Sequence, residues 1–136
     1  MSLIGREVLD MTFTLASGQT LTGHQVVKLK DDVTRADAME IEVCTDASER
    51  PLGIAQVDEG STVSAGEQVT VRLLGVSKAI AGAAFDPRDT VSPGGNGLVA
   101  AATTTDNYYY LGWALTKTSQ AFDEMLVFVF PEQYNT

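Results

Sequence analysis

The chain has 136 residues, 44% of them hydrophobic and 20% charged, which is typical of one globular domain and excludes a disordered or fibrous chain. Its 9 Lys plus Arg against 18 Asp plus Glu give a formal net charge of -9, so Coulomb repulsion argues against nucleic acid and membrane surfaces as partners. One cysteine, Cys44, excludes an intramolecular disulfide. With one histidine, His24, no cluster of soft metal ligands can form, and no cofactor is predicted.

The hydrophobic pattern predicts an all-β domain. Apolar and β-branched residues occur in short runs bounded by Gly, Pro, Asp and Ser, which favours strands over helices. In the first run, Met11, Phe13 and Leu15 alternate with threonines, so they are predicted to share one face. The predicted strands are residues 11–15, 25–29, 39–43, 52–57, 68–74, 90–92, 98–102, 108–115 and 125–130.

The segment before the first strand shows no regular period. It contains Leu3, Ile4, Val8 and Leu9 at spacings that fit neither a helix nor a strand, so we interpret it as an arm whose structure depends on a partner surface. This gives a division into residues 1–19, an N-terminal arm with the first strand, and residues 20–136, a single β-rich domain.

Two parts of the chain resemble each other. The run Leu52-Gly53-Ile54-Ala55 matches Leu111-Gly112-Trp113-Ala114, and each is followed by a small polar stretch and an acidic entry to a strand. In that alignment Glu67 corresponds to Glu124. The pattern predicts two related halves with loops of different length.

The first of these runs leads into a longer pattern of small residues, turns and Val-rich strands. It continues through Ser64-Ala65-Gly66-Glu67-Gln68-Val69-Thr70-Val71 and ends with Ala81-Gly82 and Asp89-Thr90-Val91. This pattern resembles the small capsid decoration, or head-stabilising, proteins of tailed bacteriophages, over roughly residues 21–130. The resemblance implies a compact β-sandwich or β-barrel-like domain that assembles as homotrimers on the outside of an expanded icosahedral shell and has no enzymatic activity.

The resemblance also suggests where the shell is contacted. In that family an N-terminal extension often lies against the coat protein, which makes the apolar residues of the first segment candidates for contact with the major capsid protein. These candidates are Leu3, Ile4, Val8, Leu9, Met11, Phe13 and Leu15.

A second set of candidates comes from aromatic residues near the C-terminus. Tyr and Trp are frequent in interface hot spots because they bring a large apolar area with a polar group. The final strand is apolar on both sides, with Met125, Phe128 and Phe130 assigned to one side, and an oligomer would bury one of them. The candidates for subunit contact are Tyr108, Tyr109, Tyr110, Trp113 and Phe130.

The sequence also allows three other interpretations. A carbohydrate- or receptor-binding module on a phage particle would use Tyr109 or Trp113 as a stacking platform. A small hydrolase would pair His24 with Cys44 as base and nucleophile. The acidic pairs Asp31-Asp32, Asp58-Glu59 and Asp86 with Asp89 offer oxygen ligands for calcium, although none has the spacing of an EF-hand. The leading hypothesis is a structural protein of the virion, on the outer capsid surface and made in the host cytoplasm.

Overall fold

A computed structural model describes residues 8–30, 39–102 and 108–133 and confirms the all-β prediction. The strands are β1 (Leu9–Leu15), β2 (Thr20–Leu21), β3 (Val26–Leu29), β4 (Glu40–Val43), β5 (Gly53–Ala55), β6 (Val63–Ser64), β7 (Gln68–Ile80), β8 (Thr90–Pro93), β9 (Val99–Ala101), β10 (Tyr109–Ala114) and β11 (Glu124–Gln133). A short 3-10 turn, Gly95–Gly97, joins β8 to β9.

The first half of the chain closes into a barrel. In this first barrel, β1 pairs with β4 in parallel, and β4, β3, β5 and the first part of β7 follow in antiparallel order. The early part of β7 pairs back to β1, which closes the ring. The short strands β2 and β6 pair with each other outside the ring. Its core is formed by inward residues such as Phe13, Leu15, Val27, Ile41 and Val71.

The second half repeats this arrangement and shares β7 with the first. In this second barrel, the later part of β7 pairs with β11, followed by β10, β8 and β9, all antiparallel. A parallel bridge between Ala81, just after β7, and Val99 of β9 closes the ring. The 13 residues of β7 therefore serve both barrels, because closure of each ring uses a different part of the same strand.

The backbone hydrogen bonds of the two barrels correspond residue by residue. Matching positions in the two rings donate to matching carbonyls at 2.8–3.2 Å. The pairs are Ala55 N to Gln25 O and Ala114 N to Asp89 O, Ala16 N to Ile41 O and Gly82 N to Val99 O, Leu15 N to Glu67 O and Ala81 N to Asp123 O, and Cys44 N to Val26 O and Ala102 N to Thr90 O. These bonds confirm the two related halves, and they shift one predicted match by a residue, because Glu67 corresponds to Asp123.

The glycine of each Leu-Gly-x-Ala run has the same structural role in both barrels, which is to allow close approach of a neighbouring strand. A Cβ atom on Gly53 would lie 2.0 Å from the carbonyl oxygen of Arg72, and one on Gly112 would lie 1.8 Å from that of Phe128. In each barrel a neighbouring strand thus approaches too closely for any other residue.

One outer face of the first barrel is covered by the second. Val26, Cys44 and Ile54 are fully buried and belong to the core of the second barrel, not to that of the first. The 3-10 turn reaches across to this face, where the amide of Gly97 donates to the carbonyl of Cys44 at 2.8 Å. The turn also accepts a bond from the side-chain amide of Gln25, at 3.1 Å from the carbonyl oxygen of Asn96 to Nε2.

Two strands are much longer than predicted. β7 continues to Ile80 because it passes from the first barrel into the second, where β11 replaces β1 as its partner. β11 continues through Pro131, although proline lacks a backbone donor. The strand can accept a proline here because the register of β10 and β11 shifts beside it, between Tyr110 and Gly112. Met125 was also wrongly grouped with the phenylalanines of this strand, because alternation buries it with Val127 and Val129.

Candidate interaction surfaces

The candidates for shell contact separate into buried and exposed residues. Phe13 and Leu15 are buried in the core of the first barrel, so they are removed from the contact set, because a core side chain cannot also reach a partner. Leu9 and Met11 lie on the same strand and are exposed. Val8 is partly exposed, and Leu3 and Ile4 lie outside the described residues.

The first strand is tied to the barrel and is not a free arm beyond residue 8. Leu9 pairs with Leu74, and Asp10 pairs with Arg72. Both oxygens of the Asp10 carboxylate accept bonds from the Arg72 guanidinium at 2.9 Å. These bonds raise the pKa of Arg72. They outweigh the desolvation of the guanidinium, which alone would lower that pKa.

One of the three neighbouring tyrosines, Tyr109, lines a cavity next to the first barrel. Tyr108, Tyr109 and Tyr110 are all half-buried. The guanidinium of Arg50 lies 6.0 Å from the ring centroid of Tyr109, within cation–π range. The two residues line a cavity of about 500 Å³ together with Lys28, Leu29, Ser48, Glu49, Pro51 and Leu52.

Lys28 and Glu49 form a salt bridge at this cavity, and Thr45 also binds the Glu49 carboxylate. Lys28 Nζ lies 2.6 Å from Glu49 Oε2, and the other carboxylate oxygen accepts from the amide and hydroxyl of Thr45. The carboxylate is partly desolvated, which alone would raise its pKa, but the bonds from Lys28 and Thr45 outweigh this and lower the pKa of Glu49.

Aromatic residues form an apolar patch on the outside of the second barrel. Trp113 is directly opposite Phe128 in the sheet, and Phe128 is opposite Val76. The ring centroids of Trp113 and Phe128 are 4.8 Å apart, and those of Phe128 and Phe130 are 6.5 Å apart. Leu126 and Phe130, on the same strand and side as Phe128, are exposed. Phe128, Leu126 and Val76 were not among the predicted contacts, although period-two alternation from Phe130 would have found the first two.

This patch is the counterpart of the covered face of the first barrel. From the matched registers, Val26, Cys44, Ile54 and Arg72 correspond to Thr90, Ala102, Trp113 and Phe128. We call these last four residues the open face. Ile54 is fully buried, whereas Trp113 is 39% exposed and Thr90 is also exposed.

A cavity lies at one end of the open face. It has a volume of about 400 Å³ and is lined by Ala84, Phe85, Asp89, Thr90, Ala101, Ala102 and Tyr110. Its position matches the place in the first barrel where Gln25 and Cys44 bind the 3-10 turn.

Phe122 is the most exposed large apolar residue among those described, at 74%. It has a left-handed backbone with φ of 73°, and its amide donates to Ala81 O at 2.7 Å. The matching residue in the first barrel is Gly66, with φ of 88° and a bond from its amide to Leu15 O at 2.8 Å. A bulky residue thus stands where the backbone favours glycine.

The histidine and cysteine have separate surroundings. The ring of His24 is buried, and its Nδ1 lies 3.2 Å from Glu59 Oε1. Cys44 is buried, and desolvation, followed by repulsion from Glu49, raises its pKa to about 12. The thiol is therefore protonated at neutral pH and is a poor nucleophile.

One of the acidic pairs considered as calcium ligands, Asp86 with Asp89, contacts other protein groups. Asp89 accepts from the amide of Asp86, and the Asp86 carboxylate lies 3.6 Å from Lys117 Nζ. Asp31 and Asp32 lie outside the described residues. Within residues 8–30, 39–102 and 108–133, no group of three or more His, Cys, Asp or Glu is placed to hold a metal ion. In the same ranges no helix is long and apolar enough to span a membrane.

Comparison with known proteins agrees with this architecture. The sequence matches the family described as phage cement protein over residues 6–129. The fold is similar to the crystal structure of the head fiber gp8.5 N base of bacteriophage phi29, with a TM-score of 0.65 and 16% sequence identity, covering 90% of this chain and 94% of that one. No curated protein sequence matches the chain.

The family match spans most of the chain, so the chain belongs to the phage cement protein family. The protein is accordingly a structural, capsid-associated phage protein of the outer capsid surface.

Proposed function

We propose that this member of the phage cement protein family binds the major capsid protein on the expanded shell and stabilises it as a homotrimer, without enzymatic activity. The observation that carries the proposal is the family match over residues 6–129. The mechanism is mass action: a protein that binds only the expanded lattice lowers the free energy of that state, and many copies together resist internal pressure.

The contact with the shell is assigned to the N-terminal part of the chain. Leu9 and Met11 project from β1 as exposed apolar side chains, and residues 1–7 precede them with Leu3 and Ile4. Val8 belongs to the same candidate surface. Burying such side chains against the coat protein contributes roughly 25 cal/mol per Å² of apolar area.

The experiment is co-sedimentation of the purified chain with expanded heads and with unexpanded precursor heads. We expect saturable binding to expanded heads alone. A second chain lacks residues 2–7 and retains Asp10, the partner of Arg72, so β1 stays intact. It should fold and bind at least about 30-fold more weakly, as expected for loss of an interface hot spot.

A point variant separates contact from folding. Leu9→Asp with Met11→Asp should weaken head binding, because both side chains are exposed and their loss leaves the core unchanged. Phe122→Asp is the control, since it places one such charge on the most exposed large apolar residue of the described chain. If the shortened chain, the Leu9→Asp with Met11→Asp chain and the Phe122→Asp chain all bind expanded heads as tightly as the natural chain, the role assigned to the N-terminal part of the chain is wrong. If the natural chain does not bind expanded heads, the proposed function is wrong.

A second candidate function is glycan or receptor binding at the cavity beside Tyr109. Its volume of about 500 Å³ falls within the range of small-molecule sites, and it combines an aromatic ring, cations and a carboxylate. Calorimetric titration of the natural chain with host-surface glycans should then show a heat of binding. The Tyr109→Ala variant should show none. Silence of the natural chain on a glycan array would leave shell binding as the function.

A further inference from the structure

We propose that the cavity between Arg50 and Tyr109 binds an acidic saccharide, a sugar ring that carries one carboxylate, and that the Arg50 guanidinium selects the acid. The inference rests on the second candidate function, glycan binding at the same cavity, and adds the chemical class of the ligand. It is independent of the shell contact assigned to the N-terminal part of the chain.

The cavity lies where the two barrels meet. Its part from the first barrel is formed by two residues of β3, Lys28 and Leu29, and by five residues before β5, Ser48, Glu49, Arg50, Pro51 and Leu52. Tyr109, the first residue of β10, closes the cavity from the second barrel, and its amide donates to Ala47 O at 3.0 Å. A junction of two packed units, with a volume of about 500 Å³, is a common place and size for a small-molecule site.

One positive charge of the lining is left for a ligand. The Lys28 ammonium is neutralised by Glu49 at 2.6 Å and also lies 4.0 Å from Glu42. The second oxygen of the Glu49 carboxylate is held by Thr45. Arg50 is exposed, and no carboxylate of the described residues forms an ion pair with its guanidinium. A site of this kind complements a ligand with a single negative group.

Tyr109 fixes the position of the guanidinium. Arg50 Cζ lies over the Tyr109 ring at 6.0 Å from its centroid. A guanidinium placed over an aromatic ring keeps N–H donors that point away from the ring, and these match the two oxygens of a carboxylate in two parallel hydrogen bonds. Since the contact with Tyr109 already restricts the side chain, less freedom is lost when the ligand binds.

The cavity favours a carboxylate over a phosphate. Desolvation alone would raise the pKa of Glu49, but the bonds from Lys28 and Thr45 outweigh it and lower the pKa, so Glu49 is ionised at neutral pH. A phosphate group carries a charge of about -1.5 to -2 at pH 7, and Glu49 repels it more strongly than it repels a singly charged carboxylate. Arg50 compensates one negative charge and no more.

The rest of the lining suits a sugar ring. Ser48 supplies a hydroxyl, and Leu29, Leu52 and Tyr109 supply apolar surface. Leu29 is 49% exposed, so its side chain is available to a ligand. A saccharide has the same division, because its hydroxyls lie at the rim of the ring and its C–H groups on the faces. The protein belongs to the outer capsid surface, where saccharides of a host cell are within reach.

The experiment is an NMR titration of the isotope-labelled full chain, in which the amide shifts of residues around the cavity report binding. The probes are methyl glucuronide, methyl glucoside, which has the same ring without the carboxylate, and acetate, which has the carboxylate without the ring. We expect the glucuronide to bind at least about 10-fold more tightly than either of the others, because only it uses both parts of the site. Added salt should weaken glucuronide binding and leave glucoside binding unchanged.

A pair of variants tests the role of the guanidinium. Arg50→Gln removes the selecting cation, and Arg88→Gln is the matched control, since Arg88 is an exposed arginine that does not line the cavity. Arg50→Gln should weaken glucuronide binding at least about 10-fold and leave glucoside binding unchanged. Arg88→Gln should bind both sugars like the natural chain. Circular dichroism verifies that each variant is folded.

Failure of this inference is distinguishable from failure of the proposed function. Equal affinity for glucuronide and glucoside overturns the inference, while glycan binding at the cavity stands. Acetate or an acidic tripeptide that binds as tightly as the glucuronide overturns the assignment to a saccharide, and tighter binding of glucose phosphate overturns the choice of a carboxylate. If no sugar binds, the inference and glycan binding both fall, and co-sedimentation with expanded heads still decides shell binding.

Discussion

The two barrels share a hydrogen-bond pattern but differ in what lies outside it. At one position of the common framework the first barrel has Ile54, buried under its neighbour, and the second has Trp113, partly exposed. At the adjacent position the first has Arg72, bound to Asp10, and the second has Phe128, stacked near Trp113. The backbone thus sets the fold, whereas side chains at equivalent outward positions decide which face is closed within the chain and which is left for a partner.

The largest expected effect tests whether the covered and open faces are truly different. Ile54→Arg should prevent folding, because an unpaired charge between the barrels costs a large part of the ~5–15 kcal/mol by which domains are stable. Trp113→Arg should fold, with a loss of about 2 kcal/mol or less, since its side chain reaches solvent. Urea unfolding of both variants measures the difference, and similar losses would contradict it.

The next effect concerns what the barrels have in common. Gly53→Ala and Gly112→Ala should each reduce the free energy of unfolding by about 3 kcal/mol or more, because the added Cβ would overlap a strand carbonyl. Gly23→Ala is the matched control, as nothing lies within 4 Å of its Cβ position, and its loss should stay below about 1 kcal/mol. A large loss at only one of the two glycines would show that the repeat is not equivalent.

The third prediction uses the thiol of the covered face. Burial raises the pKa of Cys44 to about 12, against 9.0 for an ordinary thiol, so the unfolded chain releases the proton first as the pH rises. The contribution of the protonated thiol to the free energy of unfolding is therefore complete below pH 9.0. It is lost as the pH rises toward 12, at up to about 1.4 kcal/mol per pH unit. Chemical unfolding between pH 8 and 11 should show this slope in excess of that of Cys44→Ala, which retains every other titrating group.

The reactivity of a cysteine placed on the open face can be compared with that of Cys44 on the covered face. Ala102 occupies the equivalent position and is half-buried. In a Cys44→Ala chain, Ala102→Cys should react with a thiol reagent at neutral pH, whereas native Cys44 should react only on unfolding. Equal reactivity at the two sites would contradict the assignment of one face as open.

The smallest expected effect concerns the turn that enters the last strand of each barrel. Gly66→Ala should destabilise by about 1 kcal/mol, since a Cβ is disfavoured at this positive φ, and Phe122→Gly should stabilise by a similar amount at the equivalent turn. Thermal unfolding measures both. A Phe122→Gly chain that is no more stable would mean that the exposed ring offsets the backbone strain.

The sequence alone determined the strands and the repeat. Alternation of apolar and polar residues locates most of the larger strands, because the side-chain period of a strand is set by the backbone. The glycines of the Leu-Gly-x-Ala runs mark the halves, since each answers the same steric constraint. The short strands β2 and β6 were missed because two residues carry no period.

Only the tertiary structure decided which apolar residues are core and which are surface. Met11 and Phe13 belong to the same alternating run, yet the barrel exposes the first and buries the second. Likewise Ile54 and Trp113 share a motif, and only Ile54 is fully covered, because closure of two rings on the shared strand β7 places the second barrel over the first, and no third barrel among the described residues lies over the second. A pattern of periods gives the side of a strand on which a residue lies, and the packing of barrels decides what lies on that side.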